Sequence, residues 1–143
     1  MIKDEYIYVL IPVITVIMAQ IIKFIVESVL YKRINLVRLL DGSGGMPSSH
    51  SAFSFSLVTA IGIGEGVNSA IFALALVFAC ITSYDAMGIR YESGEQAKAI
   101  NQIFNKLDVG KQFRKLKEKV GHKPIEVFCG IIFGVFMGFI LSI

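Results

Sequence analysis

From Tyr6 to Leu30 the chain runs apolar, with Lys23 and Glu27 as the only charged side chains and Gln20 as the only amide. A helix of that length crosses the roughly 30 Å hydrocarbon core of a bilayer. The run is too long for the apolar part of a signal peptide, Lys3 ahead of it is followed by Asp4 and Glu5, and no small-residue cleavage site comes after it. The segment is therefore expected to stay in the mature chain as a first transmembrane helix. Two further apolar stretches, Pro47 to Gly64 and Asn68 to Met87, are separated only by Glu65, Gly66 and Val67 and read as an antiparallel helical hairpin. A last span covers Ile125 to Ile143. Composition agrees: 143 residues, 55% hydrophobic and 17% charged, leave too little polar surface to clothe a soluble domain. The expected fold is all-α, a polytopic membrane helical bundle of about four transmembrane helices, the second the shortest. Residues 1–143 would form a single integral membrane domain.

Charge fixes the expected orientation. Lys32, Arg33, Arg38, Arg90, Lys98, Lys106, Lys111, Arg114, Lys115, Lys117, Lys119 and Lys123 fall on the side holding the first and third loops, against Lys3 on the other. The positive-inside rule makes the first side cytoplasmic and puts both termini outside. The long polar stretch from Tyr91 to Lys123 places Ala97, Ile100, Phe104 and Leu107 at helical spacing, and likewise Phe113, Leu116 and Val120, with basic residues on the other faces. This predicts a basic amphipathic helix lying in the headgroup plane in the third loop. A solvated stretch that only fixes topology is the plainer reading. Nucleic acid is not an expected partner despite a net charge of +3, because no aromatic platform or reading helix accompanies the charge.

Both histidines, His50 and His122, fall at or just inside the N-terminus of a predicted span, on the cytoplasmic side. Gly44-Gly45-Met46-Pro47-Ser48-Ser49 precedes His50, and glycines, a first-turn proline and capping serines suit a helix start whose exposed N–H groups bind an anion. An ordinary capped helix start is the alternative. His122 is followed at i+4 by Glu126, which can hold the imidazole by a hydrogen bond, one form of activated nucleophile or base. Arg90, at the end of Tyr84-Asp85-Ala86-Met87-Gly88-Ile89-Arg90, carries a guanidinium shaped for bidentate phosphate binding, or serves as an interface anchor. Gln20, Lys23 and Glu27 share one stripe of the first helix, which argues for a polar pocket there rather than a snorkelling lysine. Cys80 and Cys129 sit in apolar helix and are expected to pack as small hydrophobes, and no Cys/His metal spacing is present. Gly130, Gly134 and Gly138 form a small-residue stripe for close helix approach, from the same chain or from a second copy in a homodimer.

Taken together, Pro47-Ser48-Ser49-His50, Arg90, and Gly121-His122-Lys123-Pro124-Ile125-Glu126-Val127 resemble the ordered signature of the type 2 phosphatidic acid phosphatase superfamily, which includes bacterial acid phosphatases and vanadium haloperoxidases. Gly-Gly-Met-Pro-Ser-Ser-His-Ser, Tyr-Asp-Ala-Met-Gly-Ile-Arg and Gly-His-Lys-Pro-Ile-Glu-Val are closer still to its divergent branch of short membrane proteins. The resemblance implies that His122 is the nucleophile forming a phosphohistidine, that Glu126 orients it, and that His50 is the general acid. Lys23, Ser48, Ser49 and Arg90 would hold the phosphoryl oxygens, with no metal or other cofactor. The substrate implied is a lipid phosphate, phosphatidylglycerophosphate-like or prenyl phosphate, met at the cytoplasmic face of a bacterial plasma membrane. The chain departs from the signature at Ser49 (for Gly), Ile89 (for Ser) and Glu126 (for Asp), and 31 residues separate Arg90 from His122 where the superfamily has a few. The usual Lys and Arg-Pro motif is missing, so Lys23 is a candidate substitute. These departures motivate a second reading, a catalytically silent lipid-phosphate-binding or scaffold protein. A third is a metal-dependent enzyme with Asp41, Asp85 and Glu126 as oxygen ligands.

Overall fold

The computed structural model describes residues 6–32, 44–107 and 113–143, so Lys3, Arg33, Arg38, Asp41 and Lys111 lie outside the described residues. Every regular element among them is an α-helix: α1 (Ile7–Tyr31), α2 (Ser49–Gly64), α3 (Ala70–Met87), α4 (Ile89–Lys106) and α5 (Pro124–Ser142). The protein is a helical membrane bundle. Ile7–Leu30, Pro124–Ser142 and the stretch Ala70–Lys106 are long and apolar enough to cross a bilayer. At 16 residues α2 is about 24 Å long, short of a full hydrocarbon core. It is nevertheless the centre of the bundle, touching α1, α3 and α5, while α1 and α3 do not meet.

Residue size explains why α2 occupies the middle. Its buried positions are Ser49, Ser51, Ala52, Ser54, Ser56, Val58, Ala60 and Ile61, mostly small, so neighbouring helices approach closely. The hydroxyls do not go unsatisfied: Ser54 donates to the His50 carbonyl and Ser56 to the Phe53 carbonyl, each at 2.9 Å, and Ser83 of α3 reaches Ser51 at 3.1 Å. Large apolar side chains point outward instead, including Leu10 and Ile17 on α1, Leu74 and Phe78 on α3, and Phe128 and Phe139 on α5. That inversion of the soluble pattern suits hydrocarbon as the solvent. Cys80 is among the exposed outer positions and Cys129 is half-buried, and both are free thiols.

The glycine stripe of α5 is filled from within the chain. A Cβ on Gly130 would lie 2.5 Å from the Ser48 carbonyl, one on Gly134 2.5 Å from the Ala52 carbonyl, and one on Gly138 2.7 Å from the Ser56 carbonyl. All three glycines are buried against α2, so of the two approaches the sequence left open, the one within the chain is made here.

The polar third loop differs from expectation in its second half. α4 is the amphipathic helix predicted over Ala97 to Leu107, but residues 114–120 form no helix. Their backbone is engaged by α4 instead of by its own previous turn. Buried Asn101 accepts from the Leu116 N–H at 3.0 Å and donates to the Leu116 carbonyl at 2.9 Å and to Glu118 Oε1 at 2.8 Å. The segment thus returns along α4 to the end of α3. There Gly121, at φ 82°, leaves no room for a Cβ against the Arg90 and Tyr91 backbone, and the His122 N–H donates to the Ala86 carbonyl at 2.8 Å.

Candidate active site

Three chain segments meet at the start of α2. Ser48 caps that helix, its hydroxyl accepting from the Ser51 N–H, and its own N–H donates to the Glu126 carbonyl at 2.9 Å, which ties the turn to α5. Pro124 opens α5 and Glu126 accepts from the N-cap Lys123 N–H at 3.1 Å, so the carboxylate is held at the helix start. The returning segment then puts His122 beside it: α4 leads away from Arg90 and residues 113–121 lead back, so separation in sequence does not become distance. Arg90 stays in reach for the same reason.

Hydrogen-bond partners settle both imidazole tautomers. The His122 Nδ1 lies 3.1 Å from Glu126 Oε2. An ionised carboxylate only accepts, so Nδ1 carries the proton and Nε2 keeps its lone pair. That Nε2 is buried and has no hydrogen-bond partner. Arg90 Nη1 lies 3.2 Å from His50 Nε2, and a guanidinium only donates, so His50 carries its proton on Nδ1, the second buried ring nitrogen without a partner. The ring centroids are 6.1 Å apart, inclined at 69°.

Cations surround the pair. Lys23 is fully buried and donates from Nζ to Ser49 Oγ at 2.9 Å. Arg90 is half-exposed and its Nε is held by Asp85 at 2.6 Å, while its Nη1 reaches His50. Glu27, one helical turn beyond Lys23, pairs with Lys119 of the returning segment at 3.1 Å. Burial pushes His122 below its ordinary 6.5, the charge of Lys23 presses the same way, and the Glu126 carboxylate opposes both. The net direction favours the neutral ring.

The structure thus brings together His50, His122, Glu126, Lys23, Arg90, Ser48 and Ser49 at one end of α2. Ser49 differs from the rest in direction: its hydroxyl engages Lys23 and Gln20 of α1. Sequence reasoning did not find Asp85 as the holder of Arg90, because a separation of five residues is wrong for one continuous helix. The helix axis breaks at Gly88, between α3 and α4, and that break closes the pair. Among the described residues no group of three or more His, Cys, Asp or Glu side chains could hold a metal ion, and Asp85 is engaged by Arg90.

Residues 5–137 match the divergent PAP2 family. This chain belongs to that family. A curated relative, the uncharacterized membrane protein YuiD of Bacillus subtilis (strain 168), is 38% identical over 140 aligned positions, covering 89% of this chain and 88% of the relative. No solved structure matches the chain. Family membership and the outward apolar faces together establish a membrane protein of PAP2 type.

Proposed function

We propose that this protein is a membrane phosphatase that hydrolyses a lipid phosphate monoester, phosphatidylglycerophosphate-like or prenyl phosphate, through a phosphohistidine on His122. The observation that carries the reading is the lone pair on His122 Nε2, buried and unpartnered, on a ring whose centroid is 6.1 Å from that of His50, which also has an unpartnered ring nitrogen. In the first step Nε2 attacks phosphorus and the ester P–O bond breaks. The electron pair leaves on the alcohol oxygen, which takes a proton from His50 in its imidazolium form and leaves that ring neutral. In the second step His50 takes a proton from water, the hydroxide attacks phosphorus, and the P–N bond breaks with its electron pair returning to Nε2. Inorganic phosphate departs and both rings regain their starting states. Lys23, Arg90 and the Ser48 turn supply positive charge and donors to the phosphoryl oxygens, where transition-state charge gathers.

A lipid substrate is supported by the placement of the cluster at the end of a bundle whose flanks are apolar. The cytoplasmic face of a bacterial plasma membrane is supported by the excess of Lys and Arg in the first and third loops. Purified protein is expected to release phosphate from such lipids in EDTA, and His122→Ala and His50→Ala to lose that activity. Equal release by wild type and both variants would sink the assignment. One observation favours the binding-only reading: Asp85 already occupies one edge of the Arg90 guanidinium at 2.6 Å. Retained lipid-phosphate binding without hydrolysis across a broad panel would decide for it.

A further inference from the structure

Ser49 stands where the superfamily signature has a glycine, and the lysine of the usual motif is missing; these two departures meet in one hydrogen-bonded group. Lys23 Nζ donates to Ser49 Oγ at 2.9 Å, and both side chains are buried. An ammonium has donors only, so the Ser49 oxygen must accept and its single proton must go elsewhere. The acceptor in reach is Gln20 Oε1, at 3.4 Å. Gln20 lies one turn before Lys23 on the same helix, so amide and ammonium flank the hydroxyl. Ser49 is the first residue of α2 and neighbours His50, so the arrangement fastens a lysine from α1 to the helix that carries the candidate acid. Lys23 in turn is near enough to His122 for its charge to act on that ring.

We propose that Gln20 is a positioning residue of the phosphate site, acting through the Ser49 hydroxyl to seat the Lys23 ammonium, and that Ser49 serves the lysine rather than the phosphate. The proposal rests on the phosphate-binding reading above. With Gln20 taking its proton, Ser49 presents lone pairs to Lys23 in one fixed direction. Without Gln20 the hydroxyl is free to turn, and the ammonium loses a fixed acceptor at Ser49. A glycine at position 49 would leave the lysine with no such anchor, which accounts for a side chain where the superfamily signature has none.

The experiment is direct binding of orthovanadate, an oxyanion probe that needs no turnover, to the full-length protein in detergent. Gln20→Leu, which keeps the side chain's bulk, and Ser49→Gly are each expected to weaken binding about fivefold, the worth of one ordinary hydrogen bond. The double variant is expected to be no weaker than Ser49→Gly alone, and Ser49→Thr, which restores a hydroxyl, to bind as wild type does. In a Lys23→Met background the Gln20→Leu effect should vanish. Wild-type affinity in Gln20→Leu, or an undiminished effect without Lys23, would overturn the proposal while leaving the phosphatase reading intact. Failure of the wild type to bind orthovanadate would remove both.

Discussion

Gly130→Ala places one methyl group where the site and the bundle depend on each other. In an unencumbered helix the change is stabilising, by about 1 kcal/mol, because alanine loses less backbone entropy. Here the new Cβ would sit 2.5 Å from the Ser48 carbonyl oxygen and 3.1 Å from the Ser48 nitrogen, whereas ordinary contact begins at 3.4 Å. The backbone must therefore separate by about 0.9 Å at the turn that caps α2. Overpacking of this kind costs about 1–3 kcal/mol, enough to outweigh the propensity gain. The Ser48 N–H to Glu126 bond is strained by the same movement, and a misplacement of about 1 Å at a reacting centre costs about 10²-fold in rate. Gly134→Ala makes an equal clash, with the Ala52 carbonyl, one turn further from the site. Thermal unfolding in detergent should show both variants less stable than wild type. Phosphate release by the folded fraction should fall about 10²-fold in Gly130→Ala and by less in Gly134→Ala. A Gly130→Ala protein that melts higher than wild type and keeps full activity would refute the close packing of α5 on α2.

Other outcomes are expected from the same geometry. Glu126→Gln lets an amide donate to His122 Nδ1 and favours the tautomer protonated at Nε2, so kcat should fall by roughly 10²–10⁴, measured on the same phosphate ester, with substrate binding retained. Because His122 is held below 6.5, the acid limb of kcat/KM that belongs to it should lie below pH 6.5. Lys23→Met should move that limb upward toward 6.5, and a limb that moves down would contradict the sign. By the same linkage, stability from the neutral buried ring is present above pH 6.5 and lost as pH falls through the depressed folded value, which denaturation across pH can follow. Asn101→Leu strands the Leu116 N–H and carbonyl at a cost of about 1–2 kcal/mol, so protease cleavage within 113–121 should rise and activity should drop with it.

The apolar spans were legible because hydropathy and charge clumping act over twenty residues at a time, and the hinge at Glu65-Gly66-Val67 was legible from glycine chemistry. His122 and Glu126 could be paired because four residues make one helical turn. The returning segment was not legible. Phe113, Leu116 and Val120 satisfy a helical period, yet local periodicity says nothing of a buried Asn101 that takes the Leu116 backbone for itself. The partner of the glycine stripe was likewise open, since small residues announce a close approach without naming what approaches. The convergence of His50 on His122 is a tertiary fact, created by Gly121 against Arg90 and by the His122 N–H on Ala86, and no spacing in the chain encodes it. The direction of the Ser49 hydroxyl belongs to the same class.

The central claim is that His122 Nε2 forms the covalent bond to phosphorus. Rapid alkaline quenching of the protein during turnover of a lipid phosphate, followed by peptide mass spectrometry, is the direct measurement. An acid-labile phosphoryl group on His122, absent from His122→Ala, is the expected result. Phosphate release that proceeds with His122 unmodified, and that survives His122→Ala, would contradict it.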